Sequence, residues 1–152
     1  MRPWRFAYQT RQFSLAEEYF RKGLAEDPGA FSPLVNLGGT LLSAGKLDEA
    51  LKYNVYAVLA RPEDALANSQ LGQSYLAVGD LGLAQKYLEI ARRLDPAHFS
   101  LPQLTLAEVH FRRNEPAAAA EALDDFLKHH PDWPTAQKVR EAIRKLREST
   151  VR

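Results

Sequence analysis

Apolar residues recur along this chain at helical spacing, and no segment alternates with the period of two that a half-buried strand requires. Leu34, Leu37, Leu41 and Leu42 fall on one side of a predicted helix, for which Ser32 is a suitable N-cap and Pro33 sits at the first helical position. Gly45 stops that helix by supplying a left-handed residue. Leu47, Ala50, Leu51, Tyr53, Ala57 and Val58 form the next amphipathic stretch, which Pro62 ends. The following segment repeats this plan around Gly79, and a later one puts Asn114 at the stop, a residue that also tolerates the left-handed conformation. The pattern predicts an all-α chain of roughly ten short helices, or nine and a fragment.

The punctuation is periodic. Pro28, Pro62, Pro96 and Pro131 are separated by 34, 34 and 35 residues. Gly45 and Gly79, Leu47 and Leu81, the series Ala16, Ala50 and Ala84, and the series Tyr19, Tyr53 and Tyr87 all keep the 34-residue beat. Leu37-Gly38 recurs as Leu71-Gly72, and Phe31-Ser32 recurs two periods later as Phe99-Ser100. Because Phe99-Ser100 is still in phase while Leu106-Ala107 is one residue late, the extra residue of the third interval falls between Leu101 and Thr105, at the start of a helix. A fixed period of this length signals stacked supersecondary units.

This pattern resembles the tetratricopeptide repeat, a 34-residue helix–turn–helix unit, over nearly the whole chain. The family's leucine–glycine pair is matched by Leu37-Gly38 and Leu71-Gly72, its turn glycine by Gly45 and Gly79, and its second-helix alanine by Ala16, Ala50, Ala84 and Ala119. Its first-helix aromatic is matched by Tyr75, with Leu41 and His110 in its place elsewhere. Its aromatic pair is complete at Tyr19-Phe20 and partial at Tyr53-Asn54 and Tyr87-Leu88, and its later alanine is matched by Ala57 and Ala91. Asn54 departs from the pattern, and so does Phe126, which stands where a small residue is usual. The resemblance implies an all-α, right-handed superhelix forming a single domain over 1–152. Its repeats run over about 1–28 (truncated), 29–62, 63–96 and 97–131, followed by a capping helix over 132–149. Asp132 is the expected N-cap of that last helix, from about Trp133 to Glu148, with Ala136, Val139, Ile143 and Leu146 as its apolar stripe. It would supply the different neighbour that Phe126 needs. Met1 enters partway through the first helix of the first repeat, leaving only about Arg2 to Gln9 of it with Pro3 inside, which reads as a chain cut from a longer one.

Composition narrows the function classes. The 152 residues contain 20 basic and 19 acidic side chains, a balance unlike that of a general nucleic-acid binder. There are no cysteines, which removes disulfides, thiolate catalysis and sulfur-ligated metals. The near-neutral sum is a cancellation of +2 over residues 1–26, −4 over the middle and +3 over residues 132–152. Neither a signal peptide nor an apolar run of membrane-spanning length is visible, so a soluble chain without membrane contact, cytoplasmic by default, is expected.

Candidate chemistry is sparse. His129 and His130 are adjacent and cannot both face one point on a helix, while His110 stands at a packing position. Glu17-Glu18, Asp48-Glu49, Glu63-Asp64 and Asp124-Asp125 are sequence neighbours whose side chains diverge on a helix. No phosphate loop, serine-nucleophile elbow or zinc-protease motif occurs. No catalytic residue, metal site or cofactor is therefore expected, and the chain is read as a non-enzyme. The series Tyr19, Tyr53, Tyr87 is read as packing, as the family resemblance implies.

The resemblance also implies that the first helix of each repeat lines a concave groove. The groove positions are Val35, Asn36, Gly39, Leu42 and Ser43 in the second repeat, and Leu66, Ser69, Gln70, Gln73 and Leu76 in the third. In the fourth they are Leu101, Leu104, Thr105, Glu108, Phe111 and Arg112. Asn36 matches one asparagine of the carboxylate clamp used by the chaperone-binding subclass, but Gly39 and Gln73 stand where the other would be and no lysine is present, which disfavours that mode. The expectation is a protein-interaction scaffold that binds a peptide or helix of a partner protein through apolar anchors at Leu42, Leu76, Leu104 and Phe111. The alternatives are a regulatory or substrate-docking segment of a larger multidomain protein or enzyme, and a self-associating repeat module.

Overall fold

The computed structural model describes residues 3–151, with side chains from Thr10 to Val151. Eight helices and no strand are present among the described residues: α1 (Pro3–Glu26), α2 (Phe31–Ser43), α3 (Leu47–Ala60), α4 (Ala65–Ala77), α5 (Leu81–Leu94), α6 (Pro102–Arg112), α7 (Pro116–His129) and α8 (Ala136–Ser149). Each helix packs against the next in the chain. In addition α2 touches α4 and α4 touches α6, whereas α3, α5 and α7 make no such mutual contact. α2, α4 and α6 therefore form the tight inner layer of a stack, α3, α5 and α7 lie on its outer side, and α8 packs on α7 at the end.

The turns between paired helices repeat atom for atom. Gly45, Gly79 and Asn114 have φ of 78°, 88° and 59°. In each turn the amide of the next residue reaches back five positions, as Lys46 N to Leu41 O at 2.9 Å, Asp80 N to Tyr75 O at 2.9 Å and Glu115 N to His110 O at 2.8 Å. Such bonds satisfy carbonyls that the helix end leaves open. The equivalent position one repeat earlier is Arg11, and there the chain stays helical. A residue with a Cβ resists the left-handed conformation, so α1 runs straight through the place where the first turn was expected. That continuity joins the expected fragment to the helix after it and removes one element from the count, leaving eight helices among the described residues. The expected fragment Arg2–Gln9 is thus backbone of α1 from Pro3 onward, and its side chains lie outside the described residues.

Other boundaries also shift. α2 begins at Phe31 with Ala30 as its N-cap and no side-chain cap bond, so Ser32 lies inside the first turn instead of capping it. Residues 131–135 form turns, and α8 starts at Ala136 after Thr135, without Asp132 as a cap. Trp133 is held there by packing: its ring meets the fully buried Phe126 edge-on at 5.1 Å, and His130 lies 4.9 Å from Phe126. The oversized Phe126 is accommodated by this aromatic turn together with α8. The inserted residue of the third interval sits where Leu101, with φ of 54°, precedes Pro102 at the start of α6.

Candidate functional site

The junction of α2, α3 and α4 is built on two adjacent glycines. A Cβ on Gly38 would lie 2.0 Å from Asn54 Oδ1, and one on Gly39 would lie 2.6 Å from Gln70 Oε1. The missing side chains make room for a buried polar network. Asn54, fully buried on α3, donates from Nδ2 to Ser74 Oγ at 2.8 Å, and its Oδ1 accepts from Gln70 Nε2 at 3.0 Å. Gln70 Nε2 also donates to the Val35 carbonyl at 2.8 Å, and Ser74 Oγ donates to the Gln70 carbonyl at 2.9 Å. Buried amides are tolerable when their donors and acceptors are met in this way. The network fixes Gln70 at the edge of the inner layer.

Beside it a cleft of about 510 Å³ opens between α1, α2 and α4. Its α1 wall is Gln12, Phe13, Ala16 and Phe20, and its α2 wall is Asn36, Gly39, Thr40, Leu42 and Ser43. Gln70 and Gln73 of α4 close one end. No titratable side chain lines it among the described residues. Asn36 Nδ2 reaches Ser32 Oγ at 3.4 Å, Thr40 Oγ1 donates to the Asn36 carbonyl at 2.8 Å, and Gln73 has no polar partner among the described residues. The cleft thus offers amides and hydroxyls over an aromatic and aliphatic wall. It can supply shape and neutral hydrogen bonds, and among the described residues its lining contains no carboxylate, imidazole or amine of the kind used in general acid–base catalysis.

Most of the expected groove residues fall into three groups, while Leu66, Leu101 and Thr105 are half-buried outside the cleft. Asn36, Gly39, Leu42, Ser43, Gln70 and Gln73 come together in the cleft. Val35, Ser69 and Leu76 are buried in helix packing instead, Val35 with Ala57 and Ala67, and Leu76 with Ala84, Leu88 and Leu106. Leu104, Glu108, Phe111 and Arg112 share one side of α6 and do not line the cleft: Phe111 is 68% exposed, Leu104 is half-buried, and Arg112 pairs with Glu108 at 2.5 Å. Of the cleft lining, the family pattern already marked Ala16 and Phe20, but as packing positions, while Gln12, Phe13 and Thr40 were not singled out. The signal that converts them into a cleft wall is Arg11 in place of a turn glycine.

Elsewhere several titratable groups are paired, and the buried His130 Nε2 has no hydrogen-bond partner among the described residues. His110 is buried with Nδ1 2.9 Å from Glu115 Oε2, and His98 Nδ1 lies 2.7 Å from Ser100 Oγ. On α1, Glu17 receives Lys46 Nζ at 2.8 Å and Arg21 at 3.0 Å, and Arg21 also meets Glu49. The Lys46 ammonium bonded to Glu17 holds that carboxyl below its ordinary range, with Arg21 adding to the effect against the opposing pull of burial. Of the tyrosine series, Tyr53 accepts from Arg21 Nη1 at 3.2 Å and Tyr87 stacks on Tyr75 at 5.7 Å, while Tyr19 is 72% exposed. No described helix is long and apolar enough to cross a membrane.

Stacked helix pairs in register, closed by left-handed turns and lined on the inner layer by a neutral cleft, define an α-solenoid of repeat units. The family model for the tetratricopeptide repeat matches residues 6–67 and 104–140, and the chain belongs to that family. It is 32% identical over 139 residues to cellulose synthase operon protein C of Pseudomonas fluorescens (strain SBW25), covering 86% of this chain and spanning 11% of that protein. Among solved structures it is similar to YrrB, described as a TPR protein with an unusual peptide-binding site, at 22% identity and a TM-score of 0.73 over 86% of this chain and 67% of that one. It is also similar to the Yersinia enterocolitica type III secretion chaperone SycD in complex with a peptide of the translocator YopD. There the identity is 18% and the TM-score 0.69, over 77% of this chain and 92% of that one.

Proposed function

We propose that this chain is a non-catalytic interaction scaffold that holds a segment of a partner protein on its inner layer, seated in the cleft between α1, α2 and α4. The observation that carries this reading is the convergence of Asn36, Gly39, Leu42, Gln70 and Gln73 on one open, uncharged cleft. Rigid elements position these groups, and Gln70 is already ordered by its own bonds, so little side-chain entropy is lost on binding. The peptide complex of SycD and the peptide-binding site described for YrrB, both of this fold, support the same direction. The exposed Phe111 face of α6 supplies a second anchor further along the layer.

Site-specific photo-crosslinking tests the reading. A crosslinker at Gln73 or Phe111 should capture the same partner, and one at Lys86, on the outer helix α5, should not. Identical products from all three positions would refute the inner-layer site. Because the described residues that line the cleft carry no charge, affinity should change less than about threefold between 50 and 500 mM salt, in contrast to interfaces held by ion pairs.

A second reading rests on one comparison. The chain spans 11% of the cellulose synthase operon protein it matches. On that reading this chain is the regulatory or substrate-docking segment of a larger multidomain protein or enzyme.

A further inference from the structure

The cleft is shaped by an empty place in the repeat. In every later unit an inner helix lies against the outer helix that follows it. On α5, Leu81, Ala84 and Leu88 form the face that receives α4: they share one cluster with Leu76 and Tyr75, and a Cβ on Gly72 of α4 would lie 2.5 Å from Leu88 Cγ. The residues of α1 in the same register, 68 positions earlier, are Phe13, Ala16 and Phe20. These three line the cleft. The other wall is also in register. Gln70 and Ser74 are the α4 residues turned toward α2 and α3, and their counterparts on α2, Asn36 and Thr40, line the cleft as well. Both walls of an inner-helix socket are thus in place, and α1 has spent the preceding residues on its own continuation through Arg11.

We infer that the occupant of this socket is an α-helix of a partner chain that completes the inner layer as the helix before α2, not an extended strand. The site is continuous with the α2–α4–α6 inner-layer contact, which fixes the geometry of the guest. A helix about 10 Å across lays successive turns, about 5.4 Å apart, along the open cleft. The guest helix presents a glycine or alanine to Phe20, as Gly72 does to Leu88, an apolar residue to Phe13, and uncharged polar groups to Asn36 and Thr40. This inference rests on the inner-layer reading above and specifies its partner.

The probe is a fluorescein-labelled peptide copying residues 63–79, the chain's own inner helix with its Asp64 cap and Gly72. Saturable binding to the intact chain is expected, with a gain in helical circular dichroism. The same peptide carrying Gly72→Phe should bind at least tenfold more weakly. Ala16→Trp, which fills the socket, and Ser43→Trp, at an exposed rim position, should each weaken binding at least tenfold while leaving the melting temperature unchanged. Absence of saturable binding, binding without a gain in helicity, or indifference to both tryptophan variants would overturn the helical guest. Self-association of the intact chain that Ala16→Trp abolishes would assign the socket to a second copy and overturn the partner. If the Gln73 crosslinker still captures a protein while the peptide fails, the scaffold reading stands and only the helical guest falls.

Discussion

Two junctions of this solenoid occupy the same register and are built from opposite chemistry. At the first, Gly38 faces Asn54, whose amide joins Gln70 and Ser74 in a buried network. At the second, 34 residues on, Gly72 faces Leu88, and the surrounding cluster of Ala84, Leu106, Val109 and Ala122 is apolar. Glycine serves one purpose in both: it lets the next helix approach until its side chain contacts backbone. What differs is how the approach is secured. The apolar junction relies on area removed from water, and the polar one on hydrogen bonds that also orient Gln70 toward the cleft. The repeat therefore fixes shape, while the residue opposite the glycine decides whether a junction contributes only stability or also holds a binding group.

Exchanging the chemistry should hurt most where no polar partner waits. Leu88→Asn buries an amide among alkyl groups and should lower stability by about 4 kcal/mol in urea unfolding followed by circular dichroism. A loss under 1 kcal/mol would show that the second junction has unrecognised polar tolerance. Gly38→Ala and Gly72→Ala should cost about 3 and 2 kcal/mol in the same measurement. The first is larger because Asn54 cannot withdraw from the new methyl group without breaking bonds to Gln70 and Ser74. The reverse order would mean that the network yields more easily than the apolar packing. Asn54→Leu should cost only about 1 kcal/mol, since Gln70 keeps the Val35 carbonyl and Ser74 keeps the Gln70 carbonyl. Its larger effect belongs to the cleft, where Gln70 loses one of its two fixed bonds.

The smallest contrast is in acid. Glu17 bonds Lys46 and Arg21 at the N-terminal side, whereas the residue two repeats later is Gln85, which accepts from Arg113 Nη1 at 2.7 Å. The folded chain holds the Glu17 carboxyl below its ordinary value, so its contribution is complete above the ordinary carboxylate range and is lost as pH falls through the lowered value. Glu17→Gln should therefore reduce stability by less than about 1 kcal/mol at pH 7, and the variant and parent should converge as pH falls below the lowered value. Amide exchange at α1 should show this pH dependence and exchange at α5 should not.

The period of 34 and the turn glycines were legible, because they depend on residues whose backbone or packing demands are local. Gly45, Gly79 and Asn114 each occupy the left-handed turn expected of them. Less legible was what a missing glycine does. Arg11 has no anomaly of its own, and only comparison with Gly45 shows that a turn is lost and a cleft gained. Asn54 was visible as a departure from the pattern, yet its partners Gln70 and Ser74 lie 16 and 20 residues away and meet it only after three helices stack. The same limit applies to Val35, Ser69 and Leu76: helical phase put them near the inner face, but a neighbouring helix decides whether that part of the face is open, and here it is closed. Cap positions shifted for a related reason, since Ser32 and Asp132 are competent caps whose helices begin where packing of neighbouring aromatics allows.

One residue illustrates how such a chain absorbs change in its length. The third interval is a residue longer than the others, and Leu101 adopts a left-handed conformation just before α6. That single unusual dihedral takes up the extra residue in the connection, so α6 still packs against α5 and α7. In a fold with many long-range contacts an inserted residue would put every later element out of alignment with its partners. Here the error is repaired within one loop, and the units downstream keep their fit. Lineages of such chains can therefore gain and lose single residues at these joints, and drift in sequence length, while the stacked surface offered to a partner stays in place.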